Sequence, residues 1–78
     1  MEDKEFLERL GMELRLARIR AGISGPELAS LLRITSSCIY KLENGKCNGY
    51  ILTYMRICEA LGIDLNSILP LRYGEKTY

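Results

Sequence analysis

The feature that most constrains this chain is a pair of short helical segments set only three or four residues apart, between Ser24 and Gly45. Ser24-Gly25-Pro26-Glu27 is a helix start, because Ser-x-x-Glu is a capping box and Pro is tolerated in a first turn. Leu28, Ala29, Leu31 and Leu32 supply that segment's apolar face, and Arg33-Ile34 turns the chain. Thr35 or Ser36 caps the second segment, which runs to about Asn44 with Ile39 and Leu42 facing inward and Cys38 beside them. Asn44-Gly45 is a stop signal, and Lys46-Cys47-Asn48-Gly49 reads as a loop. Helices joined so tightly cannot lie antiparallel. They cross steeply, and other helices must cover them from behind.

The flanking sequence supplies that cover. Asp3 caps a first helix of about sixteen residues, on which Leu7, Leu10, Leu14, Ala17 and Ala21 form one stripe that ends at Gly22. A further helix from about Tyr50 to Leu61 carries Ile51, Tyr54, Ile57, Cys58 and Leu61 on one face and stops at Gly62. Asp64 caps a last helical turn to Leu69, which Pro70 terminates. No stretch alternates with period two, so the expected fold is all-α: a compact five-helix domain over residues 1–69 with a short tail over 70–78. A chain of 78 residues with 47% hydrophobic and 27% charged residues suits one small folded domain.

Composition removes several function classes. There is no His, so the commonest general base and the commonest metal ligand are both missing. Cys38, Cys47 and Cys58 are odd in number and carry no C-x-x-C spacing, which suits reduced thiols in a cytoplasmic protein. Cys58 falls on a core stripe, and Cys38 lacks a basic neighbour or resolving partner that would mark a redox sensor. No apolar run is long enough to span a bilayer, and the acidic start is unlike a signal peptide. No nucleophile lies next to a base, so no enzyme activity, cofactor, metal or small-molecule ligand is expected.

The ordered set Leu10-Gly11, Leu14-Arg15, Ala17-Arg18, Gly22-Ile23-Ser24, Glu27-Leu28-Ala29, Ile34-Thr35, Ile39, Leu42-Glu43-Asn44-Gly45-Lys46 and Ala60-Leu61-Gly62-Ile63 resembles the XRE (Cro and phage-repressor type) helix-turn-helix family. The resemblance covers residues 6 to 69, and its specificity lies in the ordered spacing. It implies a lambda-repressor-like fold and sequence-specific binding of double-stranded DNA by a homodimer, with the third helix in the major groove. By position, Thr35, Ser36, Ser37 and Lys41 would read bases, with Tyr40 nearby. Lys favours the O6/N7 edge of guanine, so a G near each half-site centre is expected. Ser24, Gly25, Asn44 and Lys46 would contact phosphate, and the charge of Arg33 would reach one too.

Three positions depart from the family pattern. Gly25 stands where Gln is common. Arg33 replaces the usual Gly, so it either adopts a left-handed backbone at some strain or the turn is built differently. Gly49 replaces a Pro, which predicts a looser loop. The resemblance also implies a buried ion pair between Arg18 and Glu43, whose simpler alternative is two solvated charges. For the dimer surface, Leu52 and Met55 with Leu69 and Leu71 compete with a second apolar line on the first helix, Met12, Leu16 and Ile19. The first patch is favoured.

The functional expectation is a transcriptional regulator, a repressor acting by occupancy of a palindromic operator. The alternative is a protein-interaction module such as an antitoxin-like subunit. A net charge of +1 does not oppose DNA binding, since it is a cancellation. Residues 14–56 hold seven basic and two acidic groups, whereas residues 1–13 hold two basic and five acidic ones.

Overall fold

The computed structural model describes residues 3–69. Four α-helices follow one another, α1 (Asp3–Arg20), α2 (Gly25–Leu32), α3 (Ser36–Glu43) and α4 (Ile51–Leu61), and a 3-10 turn at Leu65–Ser67 closes the order. No strand occurs among the described residues. The expected fifth helix is therefore only that turn. Its bonds span three residues, from the Ser67 N–H to the Asp64 carbonyl and from the Ile68 N–H to the Leu65 carbonyl, so no α-helical register is established. Asp64 caps it as expected, accepting from the Asn66 N–H at 3.2 Å. The tail over 70–78 lies outside the described residues. None of the described helices is long and apolar enough to cross a membrane.

One device ends all four helices. After each, a residue in the left-handed region reverses the chain, and paired amides bond back across the last turn as in a Schellman motif. The reversing residues are Gly22, Arg33, Gly45 and Gly62, with φ of 72°, 59°, 65° and 70°. After α1 the Ile23 N–H reaches Arg18 O, after α2 the Ile34 N–H reaches Ala29 O, and after α4 the Ile63 N–H reaches Cys58 O. Those three isoleucines pack against the core. Arg33 thus takes the left-handed conformation, at a steric cost of about 1–2 kcal/mol for a residue with a Cβ.

The core joins Leu10 and Leu14 of α1, Leu28, Ala29 and Leu32 of α2, Ile39 and Leu42 of α3, and Tyr54, Ile57 and Cys58 of α4, with Ile68 below. Burial pushes the Cys58 thiol pKa up, which suits a small core hydrophobe. Three residues assigned to inner stripes are instead exposed. Leu31 is 62% exposed, because at 100° per residue it sits well outside the arc formed by Leu28, Ala29 and Leu32. Ile51 is 63% exposed, at the first position of α4 and the edge of its stripe. Ala21 is exposed as well, in the turn beyond α1.

Glycine sets the α1–α3 distance. A Cβ on Gly11 would lie 2.4 Å from Leu42 O and 2.5 Å from Glu43 O, both backbone atoms of α3. A Cβ on Gly45 would lie 2.7 Å from the Glu8 backbone. The loop before α4 is also close-packed. The Gly49 N–H donates to the Tyr54 hydroxyl at 3.2 Å, and a Cβ there would meet Leu42 and Tyr54 side-chain atoms at 2.7 and 2.9 Å. Gly49 therefore anchors this loop rather than loosening it, using an N–H that Pro lacks.

Two substitutions test these points by urea unfolding. Gly11→Ala should lower stability by about 1–3 kcal/mol through overpacking, although Ala ordinarily gains about 1 kcal/mol over Gly within a helix. Arg33→Gly should raise stability by about 0.5–1 kcal/mol, the relieved strain less the extra freedom of Gly in the unfolded chain.

Candidate nucleic-acid interface

Helix α3 presents two rows of side chains on its outer face. Thr35 is its N-cap, accepting from the Cys38 N–H at 3.1 Å, so Ser36 begins the helix. With Ile39 and Leu42 buried, Ser36 and Tyr40 form one exposed i,i+4 row and Ser37 and Lys41 the other. At the C-terminal end, Asn44 Nδ2 donates to the Tyr40 carbonyl at 2.8 Å. The Lys46 ammonium lies 5.7 Å from the Tyr40 ring centroid, within cation–π range. Tyr40, Asn44 and Lys46 thus form one cluster.

A groove of about 580 Å³ separates α1 from the start of α2 and the outer edge of α3. It brings together four of the predicted positions, Gly25, Ser36, Tyr40 and Asn44, and adds Met12 and Arg15 of α1. Arg18 and Glu43 also line it. Arg18 Nε donates to Glu43 Oε2 at 2.7 Å and its Nη2 to Oε1 at 3.1 Å, a bidentate pair. Arg18 Nη1 donates to the Ile23 carbonyl at 2.9 Å. The two side chains are only 14% and 8% exposed, and the hydrogen bonds to Glu43 raise the guanidinium pKa further. One fork therefore joins α1, the α1–α2 loop and α3.

The start of α2 is more occupied than its sequence suggests. Ser24 Oγ accepts from the Glu27 N–H at 3.1 Å, and Glu27 Oε1 accepts from the Ser24 N–H at 2.8 Å. That second bond holds the Glu27 carboxyl below its ordinary pKa. Since Pro26 has no N–H, Gly25 supplies the one amide of this turn that the capping box leaves free. Arg33 stands at the other end of α2, about 12 Å away by helical rise, and does not line the groove.

Leu52 and Met55 are exposed on α4, 63% and 52% respectively, and Leu69 is 38% exposed. Leu71 lies outside the described residues. On α1, Met12 and Ile19 are half exposed, whereas Leu16 is partly buried. Arg15 stands in the family motif but not among the expected site residues, although it lines the groove. Its spacing of three from Arg18 on the same helix face was the signal.

A helix-turn-helix domain model matches residues 9–68, most of the chain. The chain belongs to the helix-turn-helix family. Its resemblance to the XRE type is shared by solved structures. The clp gene regulator ClgR from C. glutamicum is 28% identical with a TM-score of 0.78, and the match covers 81% of each chain. The restriction-modification controller protein C.AhdI from Aeromonas hydrophila is 25% identical with a TM-score of 0.82, covering 88% of this chain and all of that one. The S. venezulae BldD DNA-binding domain shares the fold at 22% identity and a TM-score of 0.77, covering 85% of this chain and 99% of that one. A comparison with curated proteins returns no match. The architecture is that of helix-turn-helix DNA-binding transcriptional regulators, with α2 and α3 as the helix pair.

Arg18→Ala should lower stability by about 3–5 kcal/mol, because Glu43 would be left largely buried without its partner. Denaturant unfolding reads this directly, and an unchanged midpoint would show the pair to be dispensable.

Proposed function

We propose that this chain is a sequence-specific regulator that binds duplex DNA as a homodimer and represses transcription by occupying a palindromic operator. The observation that carries this reading is the outer face of α3, which combines short hydroxyl side chains with one long cation and is held firmly from behind. In this reading Thr35, Ser36, Ser37, Tyr40 and Lys41 face the bases. Ser24, Gly25, Arg33, Asn44 and Lys46 face the phosphates, with the free Gly25 amide as the strongest contact that α2 offers. Arg18 and Glu43 are structural. No cofactor, metal or catalytic step is part of the mechanism, and the site of action is the cytoplasm.

The apolar side chains of Leu52, Met55 and Leu69, with Leu71 beyond them, form the dimer surface in this reading. The solved structures similar to this chain include a clp gene regulator and a restriction-modification controller protein, which supports the regulatory role. A second reading, an antitoxin-like protein-interaction module, draws on the exposed Met12 and Ile19 of α1.

Selection of bound sequences from random duplex DNA tests the proposal. It should return a palindrome with half-sites about one helical turn apart and a G near each half-site centre. Lys41→Ala should lose the preference at that G, a discrimination of about 1–3 kcal/mol. Leu52→Glu should give a monomer in sedimentation. Recovery of no enriched sequence, with salt-independent retention, would favour the protein-interaction reading.

A further inference from the structure

The groove beside α3 has a charge that the predicted contacts do not use. Its charged lining consists of Arg15, Arg18 and Glu43. Arg18 and Glu43 neutralise each other through their bidentate bond, and the last Arg18 nitrogen is committed to the Ile23 carbonyl. Arg15 is exposed and has no hydrogen bond or ion pair among the described residues. The groove is open at its edge, because a Cβ on Gly25 would meet nothing within 4 Å. The groove therefore carries one uncompensated cation, on the side where α3 presents Ser36 and Tyr40.

The neighbouring helix start has little to offer an anion. The Glu27 carboxylate takes the Ser24 amide, the Ser24 hydroxyl takes the Glu27 amide, and Pro26 has none. Glu27 also adds negative charge at the helix end that would otherwise attract phosphate. A phosphodiester passing this edge meets one free amide and the Ser24 O–H, and its charge must be balanced from another element. Arg15 is the groove cation free to do so.

We propose that Arg15 is a DNA-backbone contact, the cation by which α1 holds the phosphate that runs beside the start of α2. This rests on the duplex-DNA reading above. The contact is independent of sequence, since a guanidinium on a phosphate reads no base edge. Arg15 positions α3 in the groove without contributing to base preference.

The test measures affinity of the full chain for a random-sequence duplex and for the best selected duplex, between about 50 and 200 mM salt. Arg15→Ala should reduce the steepness of the log–log salt dependence by about one and weaken binding about five- to tenfold at about 0.1 M salt, on both duplexes alike. Arg15→Lys should keep the salt slope. Arg20→Ala, on the same helix but lining a different groove with Glu13, Ala21 and Ile63, should leave the slope unchanged. Arg15→Ala binding like the parent chain would overturn the assignment, as would an equal loss in Arg20→Ala, which would reduce the effect to net charge. A loss confined to the selected duplex would also overturn it, by making Arg15 a base reader. Failure of the unaltered chain to bind either duplex would instead remove the DNA reading itself.

Discussion

The arrangement of the α2–α3 helix pair rests on one guanidinium. Arg18, itself on α1, reaches two other parts of the chain with three nitrogens: two donate to the Glu43 carboxylate on α3 and one to the carbonyl of Ile23 before α2. The pair is largely buried, so each charge depends on the other for its solvation. The bidentate geometry fixes a rotation as well as a distance, which a hydrophobic contact of similar area would not. The C-terminal end of α3 is thus locked to α1, and the start of α2 is locked to the same point. The crossing of α2 and α3 is held from outside the helix pair.

The helix ends repeat a single solution, and the exception shows its limits. Three helices stop at a glycine, and α2 stops at Arg33 with the same hydrogen bonds and nearly the same φ. The Ile34 N–H bond to Ala29 and the packing of Ile34 on the core hold a conformation that an arginine would otherwise avoid. Local preference is overridden because the turn between α2 and α3 is too short to allow another path.

Much of this was legible in the sequence. Ser24-x-x-Glu27 gave the start of α2, and Gly22, Gly45 and Gly62 marked three helix ends, because capping chemistry is local and needs no knowledge of tertiary contacts. The stripes failed at Leu31 and Ile51, where a helix of eight residues or a first turn leaves the buried arc poorly defined. Arg15 was legible in part, by its spacing of three from Arg18, but the groove it lines is assembled from α1, α2 and α3. The packing of Gly49 against Leu42 and Tyr54 joins a loop to α3 and α4, and no spacing within one element reports that. A 3-10 turn stands where a fifth helix was expected, because a capping Asp64 opens a 3-10 turn as readily as an α-helix.

The close approach of α1 to α3 at Gly11 and Gly45 affects how the domain moves. Main-chain atoms of Leu42 and Glu43 rest where side chains would normally separate two helices, and Gly45 lies against the backbone at Glu8. Helix α3 therefore cannot fray from its C-terminal end without α1 leaving first. Although short and solvent-facing, it belongs to the same cooperative unit as the core, and its amides from Ile39 onward, bonded within the helix, should exchange with deuterium only as fast as the whole molecule opens. Helix α3 is thus rigid before any ligand arrives, and little of its conformational entropy remains to be lost on contact.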